Sequence, residues 1–174
     1  MLLDVSRVLS GDVTLEECVL PIADLDADYF ADSAVELQLP IEANCRAKNS
    51  AGIVSLEISA PVRYHTQCAR CLRDLDITLP LELKEIMVGK LNEADNYELL
   101  EVPDGKADVT ELIFEGLCFE LPLRELCSDD CKGLCSACGA NKNEVQCECT
   151  TKEIDPRLAV FGKLLEDYKE DNKE

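Results

Sequence analysis

The chain has 174 residues, 47% of them hydrophobic, which is enough apolar side chain to bury a core and excludes a disordered polymer as the default state. Thirty-six acidic against 17 basic residues leave a formal charge of −19. Such a surface repels phosphate backbones, so bare nucleic acid is not the expected ligand and a basic protein is the expected direct partner. The first twelve residues hold too few apolar side chains and acquire acidic ones too early to form a signal peptide, and no run approaches membrane-spanning length. The chain is therefore read as cytoplasmic. In that reducing compartment its eleven cysteines, an odd number, argue for metal ligands rather than disulfides.

Taken in chain order, Val13 to Leu20 carries a weak alternation that predicts a strand. From Val35 the apolar positions Val35, Leu37, Leu39, Ile41, Ala43 and Cys45 alternate with Glu36, Gln38, Pro40, Glu42 and Asn44, the pattern of a half-buried strand. Lys48 to Gly52 supplies turn chemistry, and Val54, Leu56, Ile58, Ala60, Val62 and Tyr64 then alternate with Ser55, Glu57, Ser59, Pro61 and Arg63. A third run places Leu75, Ile77, Leu79, Leu81 and Leu83 opposite Asp74, Asp76, Thr78, Pro80 and Glu82. Together these predict an antiparallel meander with one wet face. Each strand has a proline on its polar parity (Pro40, Pro61, Pro80), and because proline cannot donate to the ladder the sheet is expected to be bent or bulged there, hence curved.

Cys68-Ala-Arg-Cys71 falls between the second and third runs, so it is itself the hairpin turn. Gly89 to Ala107 is acidic and turn-rich, and is expected to be a mobile connection. Asp108, with Glu111 three residues on, predicts a helix N-cap, and Val109, Leu112, Ile113, Leu117 and Leu121 a packed helical face that ends near Pro122. A cysteine-rich segment with little periodicity follows. Asp155-Pro156 then starts a final helix, with Leu158, Phe161, Leu165 and Tyr168 on one stripe. The predicted fold is α+β: a curved antiparallel β-meander with a helix, a cysteine-rich zinc-binding segment and a C-terminal helix. The predicted organisation is a β-rich domain over residues 1–121 and a zinc-binding segment with its helix over residues 122–174.

The chemistry lies in the cysteine spacing. Six cysteines run Cys127-x3-Cys131-x3-Cys135-x2-Cys138-x8-Cys147-x-Cys149, and Cys68 and Cys71 add a second Cys-x2-Cys pair. Four thiolates close a structural zinc site tetrahedrally, and Cys-x2-Cys lets one tight turn present two sulfurs to one ion. The simplest pairing gives Cys135, Cys138, Cys147 and Cys149 to one ion and leaves Cys68, Cys71, Cys127 and Cys131 for a second, which would clamp the hairpin to the start of the carboxy-terminal segment. The competing pairing builds one site from four of the six later cysteines and leaves Cys68 and Cys71 as a dithiol. Two ions are favoured over one, and each four-thiolate centre would add about −2 to the charge.

Other readings of these residues are weaker. A catalytic zinc keeps an open position beside histidine or carboxylate ligands, and the single histidine, His65, lies on the polar parity of a strand, where an ordinary exposed side chain is expected. A redox role for Cys68 and Cys71 would want the pair at a helix start after a strand. Cys18, Cys45 and Cys118 sit on apolar patterns and are expected to be core thiols. Arg63, Arg70, Arg73 and Lys132 could gather near the turns, where they would first offset thiolate charge and could alternatively form a small basic patch touching RNA; the acidic strand face is read as solvated surface that could also receive a lysine-rich partner.

The combination of Cys68-Ala-Arg-Cys71-Leu72, Leu121-Pro122, Cys127-x3-Cys131-Lys132-Gly133-Leu134-Cys135-x2-Cys138-Gly139-x-Asn141-x-Asn143 and Ile154-Asp155-Pro156-Arg157-Leu158-Ala159 resembles the bacterial YceD family. That family is named for accumulation of the large-subunit ribosomal RNA. The resemblance implies a cytoplasmic role in synthesis, processing or stability of that RNA, and it carries over no catalytic residue. With the charge and the cysteines, the expectation is a non-enzymatic zinc-binding factor acting through a basic ribosomal protein or a large-subunit precursor particle. The alternatives are an RNA-processing enzyme, which would need clustered carboxylates for magnesium, and a generic zinc-bearing interaction module.

Overall fold

Period-two alternation of apolar and polar side chains is realised as a curved, largely antiparallel sheet. The computed structural model describes residues 1–26, 28–31, 34–90, 99–149 and 161. In chain order these form β1 (Leu2–Asp4), α1 (Ser6–Leu9), β2 (Leu15–Ile22), α2 (Asp28–Ala31), β3 (Glu36–Leu37), β4 (Ile41–Ser50), β5 (Ile53–Gln67), β6 (Asp74–Val88), β7 (Leu99–Glu101), a 3-10 turn (Pro103–Gly105), β8 (Lys106–Asp108) and α3 (Val109–Glu120). The main sheet runs β2-β4-β5-β6-β7, with β3 also paired to β5, and β1 and β8 form a separate two-stranded ribbon. The chain divides into two units, Met1–Asp129 and Asp130–Glu174. Among the described residues no helix is long and apolar enough to cross a membrane.

The inward parity is as the alternation requires. Ile41, Ala43, Cys45 and Ala47 of β4 and Val54, Leu56, Ile58, Ala60, Val62 and Tyr64 of β5 are buried, while the residues between them face outward. A fully buried aliphatic side chain of this kind contributes about 1.5–3 kcal/mol. α3 covers this face with Val109, Leu112, Ile113 and Leu117, and its N-cap forms as the sequence indicates: the Asp108 carboxylate accepts from Thr110 N–H (3.0 Å) and Glu111 N–H (3.4 Å). Gly116 permits the close approach of helix to sheet, since a Cβ there would stand 2.7 Å from Leu83 Cδ2. Phe114 extends the contact to α2, meeting Tyr29 and Phe30 in an aromatic cluster with centroids 5.1–5.4 Å apart.

The prolines act differently from one another. At Pro40 the expected first strand is broken, and β3 and β4 flank a cis Leu39–Pro40 bond. Pro61 and Pro80 instead lie directly opposite each other in an unbroken β5–β6 ladder, so no bulge forms there. Two facing residues without N–H groups are compatible with a non-hydrogen-bonded pair, which needs neither donor. The connection expected to be mobile also corrects in part. Leu99–Glu101 pairs parallel with Ile86–Val88, and Lys106–Asp108 pairs with β1, because both short segments find an unpaired strand edge to satisfy their backbone groups. The C-terminal helix expected from Asp155 onward lies outside the described residues except for Phe161, which is helical and exposed.

Candidate metal centres

β5 and β6 register Gln67 against Asp74, so the chain reverses over Cys68 to Arg73. Cys68 N–H donates to the Arg73 carbonyl (2.8 Å) and Leu72 N–H returns to the Cys68 carbonyl (2.9 Å), with Leu72 in the left-handed region at φ 57°. This winding brings the two thiols of the turn to one side. The turn is anchored by Glu125: its carbonyl accepts from Ala69 N–H (2.8 Å), and its carboxylate accepts from the hydroxyl of buried Tyr64. Arg70 Nη1 donates to the Asp129 carbonyl (3.0 Å), tying the turn to the chain just past Cys127. Arg63, by contrast, lines a depression with Gln38, Leu39, Pro40, Glu42 and Pro61 on the outward face of the sheet.

The Cys135–Cys138 turn repeats the plan. Cys135 N–H donates to the Ala140 carbonyl (2.8 Å), Gly139 N–H returns to the Cys135 carbonyl (2.8 Å), and Gly139 takes the left-handed conformation at φ 74°. Leu134 and Asn141 bridge antiparallel, and Lys142 N–H reaches the Gly133 carbonyl (2.9 Å), closing a small loop that leads on to Cys147 and Cys149.

The eight sequence-selected sulfurs fall into two groups: Cys68, Cys71, Cys127 and Cys131, and Cys135, Cys138, Cys147 and Cys149. Within each group all sulfurs lie within 4.8 Å of one another, and Cys71 and Cys127 are 3.6 Å apart. Four sulfurs placed tetrahedrally about 2.3 Å from one ion stand about 3.8 Å apart. Both groups can therefore hold a metal ion after small adjustments. Among the described residues none of the eleven cysteines forms a disulfide.

The electrostatics favour anionic sulfur at one cysteine of each group. Burial works to raise the Cys68 thiol, but backbone hydrogen bonds from Cys127, Arg70 and Cys71, with the Cys71 side chain, overcome it and draw it down to about 6. At Cys135 the backbone N–H groups of Cys138 and Ala137 lead the lowering, again to about 6. The neighbours compensate. Hydrogen bonding to Cys135 raises Cys147, and hydrogen bonding to Cys138 pushes Cys149 up to about 12. Without a cation the second group therefore does not hold four thiolates together, whereas a bound divalent ion deprotonates coordinating thiols outright.

The remaining candidates stand apart. Cys18 and Cys45 face each other across β2 and β4, and burial pushes Cys45 up to about 12 and raises Cys18, which keeps both as thiols. Cys118 departs from the expected core position and is exposed, since it follows Leu117 around α3 and turns off the buried stripe. His65 contacts Asp76 (3.0 Å) on the outward face, and that hydrogen bond raises its pKa. Sequence reasoning gave no role to Glu125, Tyr64, Asn141 or Asn143. The two asparagines carried a signal, the Gly-x-Asn-x-Asn run beside Cys138; Glu125 carried none, because its partners are 56 and 61 residues away.

The sequence profile of the family described as "Large ribosomal RNA subunit accumulation protein YceD" matches residues 54–165, more than half of the chain. "Uncharacterized protein YlbN" of Bacillus subtilis is 25% identical over 128 residues, covering 72% of this chain and 74% of that protein. The chloroplastic "Large ribosomal RNA subunit accumulation protein YCED homolog 1" of Arabidopsis thaliana is 34% identical over 59 residues, 34% of this chain and 18% of that one. An uncharacterized protein of Mycobacterium bovis is 29% identical over 103 residues, 57% of this chain and 49% of its own. The chain thus spans about three quarters of the first of these relatives and half or less of the other two. No solved structure matches it.

Proposed function

The chain belongs to the YceD family of large ribosomal RNA subunit accumulation proteins, and from that premise we propose that it is a non-enzymatic, zinc-stabilised factor supporting accumulation of large-subunit ribosomal RNA in the cytoplasm. The observation that carries the metal part of the reading is the gathering of eight cysteines into two four-sulfur groups. Zinc suits them because it is tetrahedral, redox-inert and bound well by thiolates. Cys68, Cys71, Cys127 and Cys131 would hold one ion, and Cys135, Cys138, Cys147 and Cys149 the other. Four sulfurs complete such an ion's coordination and leave no open position for a water, which supports a structural rather than a catalytic role.

The route to RNA runs through protein. A net charge of −19 sets the chain against bare phosphate and opposes the counterion-release drive behind most RNA binding. It fits a basic ribosomal protein or a large-subunit precursor particle carrying one. The expected result at physiological salt is co-sedimentation with precursor particles, no gel shift of naked ribosomal RNA, and two equivalents of zinc in natively purified protein. Tight binding to naked ribosomal RNA would overturn the partner, and a folded chain purified reduced and metal-free would overturn the zinc.

A further inference from the structure

The two sulfur groups share a hydrogen-bonded link that neither the cysteine spacing nor the family name assigns. Asn143 lies between Cys138 and Cys147, in the loop whose two ends carry ligand candidates of the second group. Its side chain reaches back to the first group, where Nδ2 donates to Cys131 Sγ at 3.3 Å. The amide has little freedom to do otherwise. Its Oδ1 accepts Lys132 N–H at 2.8 Å, which fixes which end is oxygen, and its Nδ2 also donates to Asn141 Oδ1 at 2.9 Å. Asn141 Oδ1 further accepts Asn143 N–H (3.0 Å), and Asn141 Nδ2 donates to Glu144 Oε1 (3.2 Å).

We propose that Asn143 is a positioning residue through which metal bound at one four-cysteine group raises affinity at the other. The inference rests on the zinc reading above. An N–H donated to a thiolate fixes the sulfur's orientation and spreads part of its charge, which is how partners of ligating atoms tune a metal site. The donor reaches Cys131 from the formed Gly139–Gln146 loop, and an ion held between Cys135, Cys138, Cys147 and Cys149 would fasten both ends of that loop. An ion in the second group therefore prepares Cys131 for the first. By linkage, an ion in the first group favours the closed loop and the second ion equally.

The test is stepwise removal of zinc from the full, reduced, two-zinc chain with chelators of graded strength, read by metal release and by native mass spectrometry of the zero-, one- and two-ion species. In the wild type the one-ion species is scarce. In Asn143→Asp, which keeps the acceptor for Lys132 N–H but loses the donor to Cys131, the one-ion species accumulates and the first ion leaves at about 10- to 100-fold weaker chelation. Asn143→Ala behaves likewise. Wild-type and Asn143→Asp curves that superimpose, or a wild type that loses its ions independently, would overturn the link and leave the zinc reading intact. If Asn143→Ala uncoupled the ions and Asn143→Asp did not, the donor role would fall. A wild type that takes up no zinc sinks both readings.

Discussion

The Cys68–Cys71 and Cys135–Cys138 turns are wound alike, with the first cysteine's N–H bonded five residues on, the return bond four residues on, and a left-handed residue directly after the second cysteine. Their supports differ. The first turn closes a long hairpin whose inward side chains belong to the hydrophobic core, and Glu125 braces it from Tyr64 and Ala69. The second stands in a stretch, residues 130–149, that contributes no side chain to that core. One local solution for presenting two sulfurs is thus held by a sheet in one place and by little besides its own loop in the other.

Removing the metal should separate the two most sharply. A structural zinc site of this type carries about 10–16 kcal/mol of apparent binding free energy at neutral pH, more than a coreless segment can replace. After chelation under reducing conditions, hydrogen exchange is expected to stay slow in Ile53–Gln67 and become fast through Cys131–Val145. Loss of protection in both would mean that the sheet also depends on its ion. Cys71→Ser and Cys138→Ser should each lower zinc content by one equivalent, with only the second variant exposing the loop after Cys135. Acid should treat the turns alike. Cys68 and Cys135 are lowered from the ordinary value of 9.0 to about 6, so in the metal-free chain their thiolate stabilisation is complete above about pH 9 and is lost as pH falls through about 6. A metal-loaded chain should release its ions at lower pH still, because the ion holds the sulfurs deprotonated.

Next in size is the brace that only the first turn has. Tyr64→Phe removes the donor to the Glu125 carboxylate, and a hydrogen bond to a charged group is worth about 1.5–3 kcal/mol. Urea unfolding of the zinc-loaded protein should register that loss in the sheet transition with the zinc count unchanged. An unaltered midpoint would mean that Glu125 acts through its backbone alone.

The smallest effect compares the left-handed positions. Gly139 has open space around its missing Cβ, so Gly139→Ala should cost only the conformational term, about 1 kcal/mol, read as weakened zinc retention at the second group. Leu72 occupies the equivalent position as a non-glycine residue, largely exposed. Leu72→Gly relieves that conformation at little cost in packing, and a gain of up to about 1 kcal/mol in sheet stability is expected. Equal penalties at both positions would show that Leu72 makes a contact that outweighs its backbone strain.

Local pattern was legible wherever the cause was local. The alternation in β4, β5 and β6 announced the sheet and its wet face, Asp108 and Glu111 announced the start of α3, and Cys-x2-Cys announced two turns. Cys118 misled because an apolar neighbourhood in sequence does not fix a helix azimuth. Pro61 and Pro80 misled only as to a bulge, because their tolerance depends on register, which pairs them with each other in a sheet that is curved as expected. The order in Leu99–Asp108 was hidden because those residues are strands only by virtue of the edges they meet.

By itself the sequence determined which cysteines were candidate sulfur donors, which faces would be apolar and where the chain would turn, because each follows from side-chain chemistry repeated at a fixed backbone period. Only the tertiary structure decided that Cys68 and Cys71 gather with Cys127 and Cys131, that Glu125 braces their turn, and that Asn143 reaches Cys131. Each of these joins residues through strand register or loop closure, and neither is encoded in the spacing of neighbours along the chain.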